Sequence, residues 1–161
     1  MSALFARFAQ AWLGPAWRPA VAMMSVVLSL SPAAAQTPPS PDKPFAEHRL
    51  VLQLSDREPD KQALVISVAN NLLKFYGPDK IAIEVVAFGA GIDLLRADSP
   101  NRTRVDSLVS QGVQFDICMN TVDTLEREGK HVKINPKAVK VQVGVARILA
   151  LTGKGYTLVR P

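Results

Sequence analysis

The chain has 161 residues, of which 48% are apolar and 20% are charged, and its formal net charge is +5. These proportions are ordinary for a folded domain and too apolar for a disordered protein. The one cysteine excludes an internal disulfide framework and a zinc site built on several thiolates. His48 and His131 are far apart in the sequence and are expected on the surface, so we predict neither a metal centre nor a cofactor.

Residues 1–35 have the pattern of a cleavable secretory signal peptide. Arg7 and Arg18 come before or at the start of a short apolar stretch, 20–30, which ends near the small residues Ala33 and Ala35. The stretch is shorter than the ~20 residues that span a membrane, which favours cleavage over a membrane anchor. We therefore expect a periplasmic or secreted protein without a membrane span. Removal of residues 1–35 would take away Arg7 and Arg18 and leave a net charge of +3, which is too small to predict nucleic-acid binding.

The segment 36–45 is expected to be an extended linker, because it contains four prolines and therefore few amide donors. The folded domain is then 46–161, close to the usual size of a single domain. Within it, strand patterns and helix patterns alternate.

Five short apolar runs predict strands, at 50–54, 81–88, 113–119, 139–143 and 156–159. Between them, apolar residues at helical spacing predict one helix from Pro59 to Tyr76 and a second that ends at Gly112. A third helix is expected to open at Asn120 or Thr121, and a last one to bury the face formed by Val145, Ile148 and Leu149. Such alternation predicts a three-layer, flavodoxin-like α/β domain with a mainly parallel five-stranded sheet.

Cys118 is the leading candidate for chemistry, because it stands where the third predicted strand ends and a helix begins. Ligands of open α/β sheets bind at this end of the strands. Backbone N–H groups at a helix start, here with Asn120 or Thr121 as the N-cap, favour the reactive thiolate. The alternative is that Cys118 is a small buried hydrophobic residue, the commonest role of a free cysteine.

Asp116 argues against a reactive thiol. It lies two positions before Cys118, so both side chains point to the same side of the strand. A nearby carboxylate opposes ionisation of a thiol unless a cation balances it. Arg57, Arg102 and Arg104 are the candidates for that cation.

The loops after the first two strands supply weaker candidates for binding a substrate or an anion. Gly89 and Gly91 could bring backbone N–H groups close to an anion, although a tight turn is the simpler interpretation. Asp56 lies in the first loop, whose acidic character does not suit a flavin phosphate.

Three segments resemble the DsrE/DsrF-like family. Residues 112–121 match its G-V-x-F-x-x-C-x-N-T signature, and residues 85–95 are similar to its V-V-A-[YH]-G-P-G-x-x-x-L turn. Residues 143–148 and 155–161 are similar to its closing helix and its G-Y-x-Y-[IV]-[KR]-P strand. The likeness runs from about His48 to Pro161 with matching order and spacing.

The resemblance implies a flavodoxin-like subunit that forms trimers or hexamers. It also implies that a cysteine, which maps onto Cys118, carries sulfane sulfur as a persulfide and passes it to a thiol or persulfide partner protein. The chain departs from the pattern at Phe88, where the family has a tyrosine or histidine, and at Ala90, where it has proline. The resulting hypothesis is a periplasmic sulfur carrier or sulfurtransferase. The alternatives are a non-catalytic oligomeric binding module and a thiol redox sensor.

Overall fold

A computed structural model describes residues 43–161. The predicted signal peptide and residues 36–42 of the predicted linker lie outside this part of the chain. Strands and helices alternate as β1 (His48–Leu54), α1 (Pro59–Tyr76), β2 (Ile81–Ala87), a 3-10 helix (Gly89–Leu95), α2 (Arg102–Ser110), β3 (Gln114–Cys118), α3 (Met119–Arg127), β4 (Val139–Val141), α4 (Gly144–Thr152) and β5 (Thr157–Val159). Within 43–161, no helix is long and apolar enough to cross a membrane.

The five strands form one sheet in the order β4-β3-β2-β1-β5, and every neighbouring pair is parallel. Helices cover both faces of this sheet. The predicted three-layer α/β fold with a parallel five-stranded sheet is therefore confirmed.

The direction in which the chain crosses the sheet decides which face each helix covers. From β1 to β4 the chain moves strand by strand in one direction, and from β4 it returns past β1 to reach β5. Because crossovers between parallel strands are right-handed, this reversal places α4 on the face opposite α1, α2 and α3. The loops after β3 and β4 therefore lead to opposite faces of the sheet. The boundary between these two neighbouring strands is the topological switch point.

Alternating side chains of the strands supply a separate hydrophobic core on each face. The larger core packs α1, α2 and α3 against residues such as Leu52, Val85 and Phe115. The smaller core, under α4, contains Val51, Ala82, Val86, Ile148, Leu151 and Tyr156. The apolar residues of β1 and β2 thus extend to both faces, as expected for strands buried on both sides.

The buried face of α4 differs from the predicted one. Ile148 is buried as expected, but Val145 and Leu149 are 51% and 67% exposed, and Arg147 and Leu151 are buried instead. Apolar spacing alone indicates the wrong side, because it does not count an arginine as a residue that faces the core.

Lys43, at the start of the described residues, fastens the segment before β1 to the sheet. Its Nζ donates hydrogen bonds to the carbonyl oxygens of Pro78 at 2.8 Å and Ile81 at 3.0 Å. Burial lowers the pKa of this ammonium, against the opposing effect of the Asp79 charge.

The turn after β2 crosses the end of β1 at very short range. A Cβ added at Gly91 would lie 2.3 Å from the carbonyl oxygen of Leu54, whereas one added at Gly89 would meet nothing nearer than the Ser55 carbonyl oxygen at 3.7 Å. At position 89 glycine is favoured by the backbone conformation, because φ is +54°. Glycine is required at position 91 by the close backbone contact and is favoured at position 89 by the left-handed backbone conformation.

We expect Gly91→Ala to lower the free energy of unfolding by about 3 kcal/mol or more, because rigid backbone must move. Gly89→Ala is the matched control, with a loss of about 1–2 kcal/mol from the left-handed backbone alone. Urea unfolding measures both. Equal losses in the two variants would contradict the close approach of Gly91 to β1.

Candidate functional site

Cys118 lies at the switch point between β3 and β4. It is the last residue of β3 and the N-cap of α3, and its side chain points toward α4. Its Sγ accepts a hydrogen bond from the backbone N–H of Gly144 at 3.3 Å and lies 3.8 Å from the carbonyl oxygen of Gln142, to which the thiol donates. Gly144 is the first residue of α4, so the positive end of that helix is directed at the sulfur.

The predicted N-cap at Asn120 or Thr121 is wrong, because α3 begins at Met119 and Cys118 itself occupies the N-cap position. The N–H of Asn120 donates to the carbonyl oxygen of Gln142 at 3.1 Å and is not directed at the sulfur. The side chain of Gln142 in turn donates to Asn120 Oδ1 at 2.8 Å. These two bonds join the β4–α4 loop to the start of α3.

The thiol is covered on the α4 side by close packing. A Cβ added at Gly144 would lie 3.3 Å from the Cβ atoms of both Cys118 and Phe88. Cys118 is consequently 5% exposed. The absence of a side chain at Gly144 lets α4 pack closely over Cys118 and Phe88.

A buried charged cluster lies on the same face of the sheet, below the thiol. Arg147 of α4 contacts Glu84 of β2 (Nη2–Oε2, 2.8 Å) and Asp116 of β3 (Nε–Oδ2, 3.1 Å). Gln114 Nε2 donates to Asp116 Oδ1 at 2.7 Å and to Glu84 Oε2 at 3.4 Å. All three ionisable side chains are at most 1% exposed.

Burial, followed by the Glu84 charge, raises the pKa of Asp116 to about 7, against the lowering effects of Gln114 and Arg147. The cation beside Asp116 is therefore Arg147 and none of the three arginines that the sequence suggested. Arg57 pairs with Asp93 and Arg102 with Asp106, while Arg104 donates to Asn101.

Three of the predicted loop candidates share one cleft of about 390 Å³ at the carboxyl ends of the strands. Gly89, Asn120 and Thr121 line it, and the Gly89 N–H donates to Thr121 Oγ1 at 3.1 Å. The remaining lining residues are Arg57, Ala90, Ile92, Asp93, Thr124 and Leu125.

Cys118, Gly91 and Asp56 are not among the lining residues of this cleft. Asp56 is exposed and accepts a hydrogen bond from Ser55. The N–H of Gly91 donates to the Phe88 carbonyl oxygen, so it is already used within the turn. The thiol therefore lies outside the cleft, although Asn120 also contacts Gln142 in the loop beside the sulfur.

The two histidines lie away from Cys118 and are exposed, as expected. The His48 ring packs on Tyr76 with 4.1 Å between ring centroids. Among residues 43–161, no three His, Cys, Asp or Glu side chains are grouped to hold a metal ion.

Two partners of the site, Glu84 and Arg147, were not predicted from the sequence. Glu84 is the one charged residue within an otherwise apolar run, 81–88. A carboxylate in a strand buried on both faces requires a cation, and that requirement points to an arginine in a core-facing position.

The chain is similar to a solved structure of a protein of unknown function, MTH1491 from Methanobacterium thermoautotrophicum. The two are 29% identical with a TM-score of 0.64, over 71% of this chain and 100% of the other. No protein-family model matches the chain, and no curated protein does. The likeness supports the fold and carries no information about activity.

The hydrogen bond from Gly144 to the sulfur can be tested with proline, which has no N–H but suits the first position of a helix. Val143 has φ −128° and ψ 109°, a conformation that accepts a following proline. We expect Gly144→Pro to slow the alkylation of Cys118 by iodoacetamide at pH 7 about tenfold, because a hydrogen bond to the reactive thiolate is lost.

Gly144→Ala is the control, since it adds the same Cβ and keeps the N–H. The iodoacetamide alkylation rate of the parent and both variants measures the effect. Identical rates for the two variants would show that this N–H does not stabilise the thiolate.

The raised pKa of Asp116 also predicts a pH dependence of stability. Between about pH 4 and pH 7 the folded state holds a proton that the unfolded state has released, so stability falls as the pH rises through this range. Asparagine at position 116 does not titrate, so the Asp116→Asn variant does not lose stability in this way as the pH rises. The free energy of unfolding of the variant, measured relative to the parent, should therefore rise between pH 4 and pH 8 by up to about 4 kcal/mol.

Urea unfolding across this pH range measures the difference. Asp123→Asn, on the exposed surface of α3, is the control and should follow the parent at every pH. A constant difference between Asp116→Asn and the parent would mean that Asp116 is ionised throughout.

Proposed function

We propose that the protein is an exported sulfur-handling protein in which Cys118 accepts sulfane sulfur and transfers it as a persulfide. The observation that carries this proposal is the N–H of Gly144, at the start of α4, donating to the cysteine sulfur at 3.3 Å. A helix N-terminus stabilises both a thiolate and a persulfide anion. The resemblance of residues 112–121 to the DsrE/DsrF-like signature supports the same chemistry.

The proposed reaction needs no cofactor. The Cys118 thiolate attacks the outer sulfur of a donor persulfide, R–S–SH, and a new S–S bond forms as the donor S–S bond breaks. The bonding electrons leave with the donor as R–S⁻. A thiolate of the acceptor then attacks the outer sulfur of Cys118–S–SH, and Cys118 leaves as the thiolate again.

A sulfur donor or acceptor can react only if it reaches the buried sulfur of Cys118. Cys118 is 5% exposed, and the contacts between Gln142 and Asn120 join the two loops beside it. Both of these residues are themselves exposed. Separation of the two loops exposes the sulfur to a donor or acceptor thiol.

The proposal includes export to the periplasm, a homo-oligomeric assembly and a partner protein with a thiol or persulfide. Exposed apolar side chains on α4 and β5 support the assembly. They are Val145, Leu149, Leu158 and Val159, which are 51%, 67%, 40% and 37% exposed. Apolar surface of this kind is typical of interfaces between subunits.

A non-catalytic oligomeric binding module is the second candidate, and the burial of Cys118 favours it. In that case the thiol is a packing residue under Gly144 and Phe88. Cys118→Ala would then leave assembly and function unchanged.

Mass spectrometry after polysulfide treatment decides between these candidates. We expect the mature chain to gain about 32 Da, one sulfur atom, and to lose it on addition of a reductant. Cys118→Ser is the control and should gain nothing. A parent protein that stays unmodified, while its unfolded form reacts, would overturn the sulfur-transfer proposal.

A further inference from the structure

The charged cluster under α4 is close enough to the thiol to influence its ionisation. Asp116 and Cys118 are two residues apart on one face of β3, which places them about 7 Å apart along the strand. Glu84 faces the cluster from β2 and Arg147 faces it from α4.

The other elements around the cluster contribute little charge. Opposite Glu84 on β1 is Val51, and opposite Asp116 on β4 is Val139. Tyr156, before β5, is the remaining titratable side chain of this core, and Arg49 lies over its ring at 5.8 Å. Among residues 43–161, the electrostatic balance near the sulfur therefore depends mainly on two carboxyl groups and one guanidinium.

Both carboxyl groups accept hydrogen bonds from the same two side chains. Arg147 Nε lies 3.1 Å from Glu84 Oε2 and 3.1 Å from Asp116 Oδ2, and Gln114 Nε2 contacts both groups. Two carboxylates held this close repel each other when both are ionised, which favours the retention of one proton by the pair. The Oε1 atom of Glu84 has no hydrogen-bond partner among the described residues, which adds to the cost of ionising both groups. With the shared proton the cluster is neutral, and without it the cluster carries one negative charge.

We propose that Asp116 is a positioning residue whose proton, shared with Glu84 beside Arg147, controls the charge that Cys118 can carry. The inference deepens the proposed function and rests on it, because it concerns the thiolate that would accept sulfur. A neutral cluster permits an anionic sulfur, and a deprotonated cluster opposes it. Loss of the shared proton and ionisation of the thiol are therefore anticooperative.

The size of the effect follows from the separation. At about 7 Å and an effective dielectric constant of about 20, one negative charge raises the pKa of a thiol by roughly 1–2 units. The effect is reciprocal, so an anionic sulfur on Cys118 retains the shared proton to a correspondingly higher pH.

An infrared titration of the mature chain tests this coupling without requiring reagent access to the buried sulfur. Because the chain has one cysteine, the S–H stretching band reports Cys118 alone. A C=O band of a buried protonated carboxyl reports the shared proton. We expect the carboxyl band to disappear first, and the S–H band to disappear at higher pH over a range broader than a single-site curve.

Asp116→Asn and Glu84→Gln each remove one negative charge from a different strand and leave a neutral cluster. Both should lose the titrating carboxyl band and lower the S–H midpoint by about 1–2 pH units, with a single-site curve. Asp123→Asn, which removes an exposed carboxylate of α3, should leave both bands unchanged. A structural disturbance caused by one substitution would not lower the S–H midpoint in both variants by a similar amount.

S–H midpoints that coincide in the parent and in both cluster variants would overturn the inference. If neither variant folds, a single-site S–H curve in the parent would overturn it equally. The titration does not involve sulfur transfer. A protein that shows the coupling but gains no sulfur from polysulfide would refute the proposed function and keep the inference.

Discussion

The ion pairs of Arg147 with Glu84 and Asp116 set the position of α4, and the position of α4 sets the surroundings of Cys118. Gly144 lies one helical turn before Arg147, so anchoring the guanidinium between β2 and β3 also places the Gly144 N–H. Buried ion pairs add little net stability, but removing one partner leaves an uncompensated charge. The cluster therefore specifies where the helix lies more than how firmly the domain folds.

Two opposing electrostatic effects meet at the thiol. The N-terminus of α4 favours a negative sulfur, whereas Asp116 disfavours it once the carboxyl pair has lost its proton. Both effects act inside packed protein, where charges are screened less than at the surface. Their balance changes near neutral pH, because burial places the pKa of Asp116 at about 7.

Much of the fold could be predicted from the sequence, and the site only in part. Apolar periodicity located all five strands and indicated the parallel sheet, whose central strands β2 and β3 are buried on both faces. The face covered by α4 depends on the strand order, which no local pattern contains. Arg147 was missed for the same reason, because its role is defined by carboxylates 63 and 31 residues earlier in the chain.

The helix that anchors the cluster also carries the exposed apolar side chains of Val145 and Leu149. Among the described residues a single helix covers this face of the sheet, whereas three cover the other. In the proposed assembly, a second subunit seated on α4 would restrict the movement of the helix whose first N–H binds the sulfur. Subunit contact and thiol reactivity would then depend on the same structural element, and a change in one is expected to alter the other.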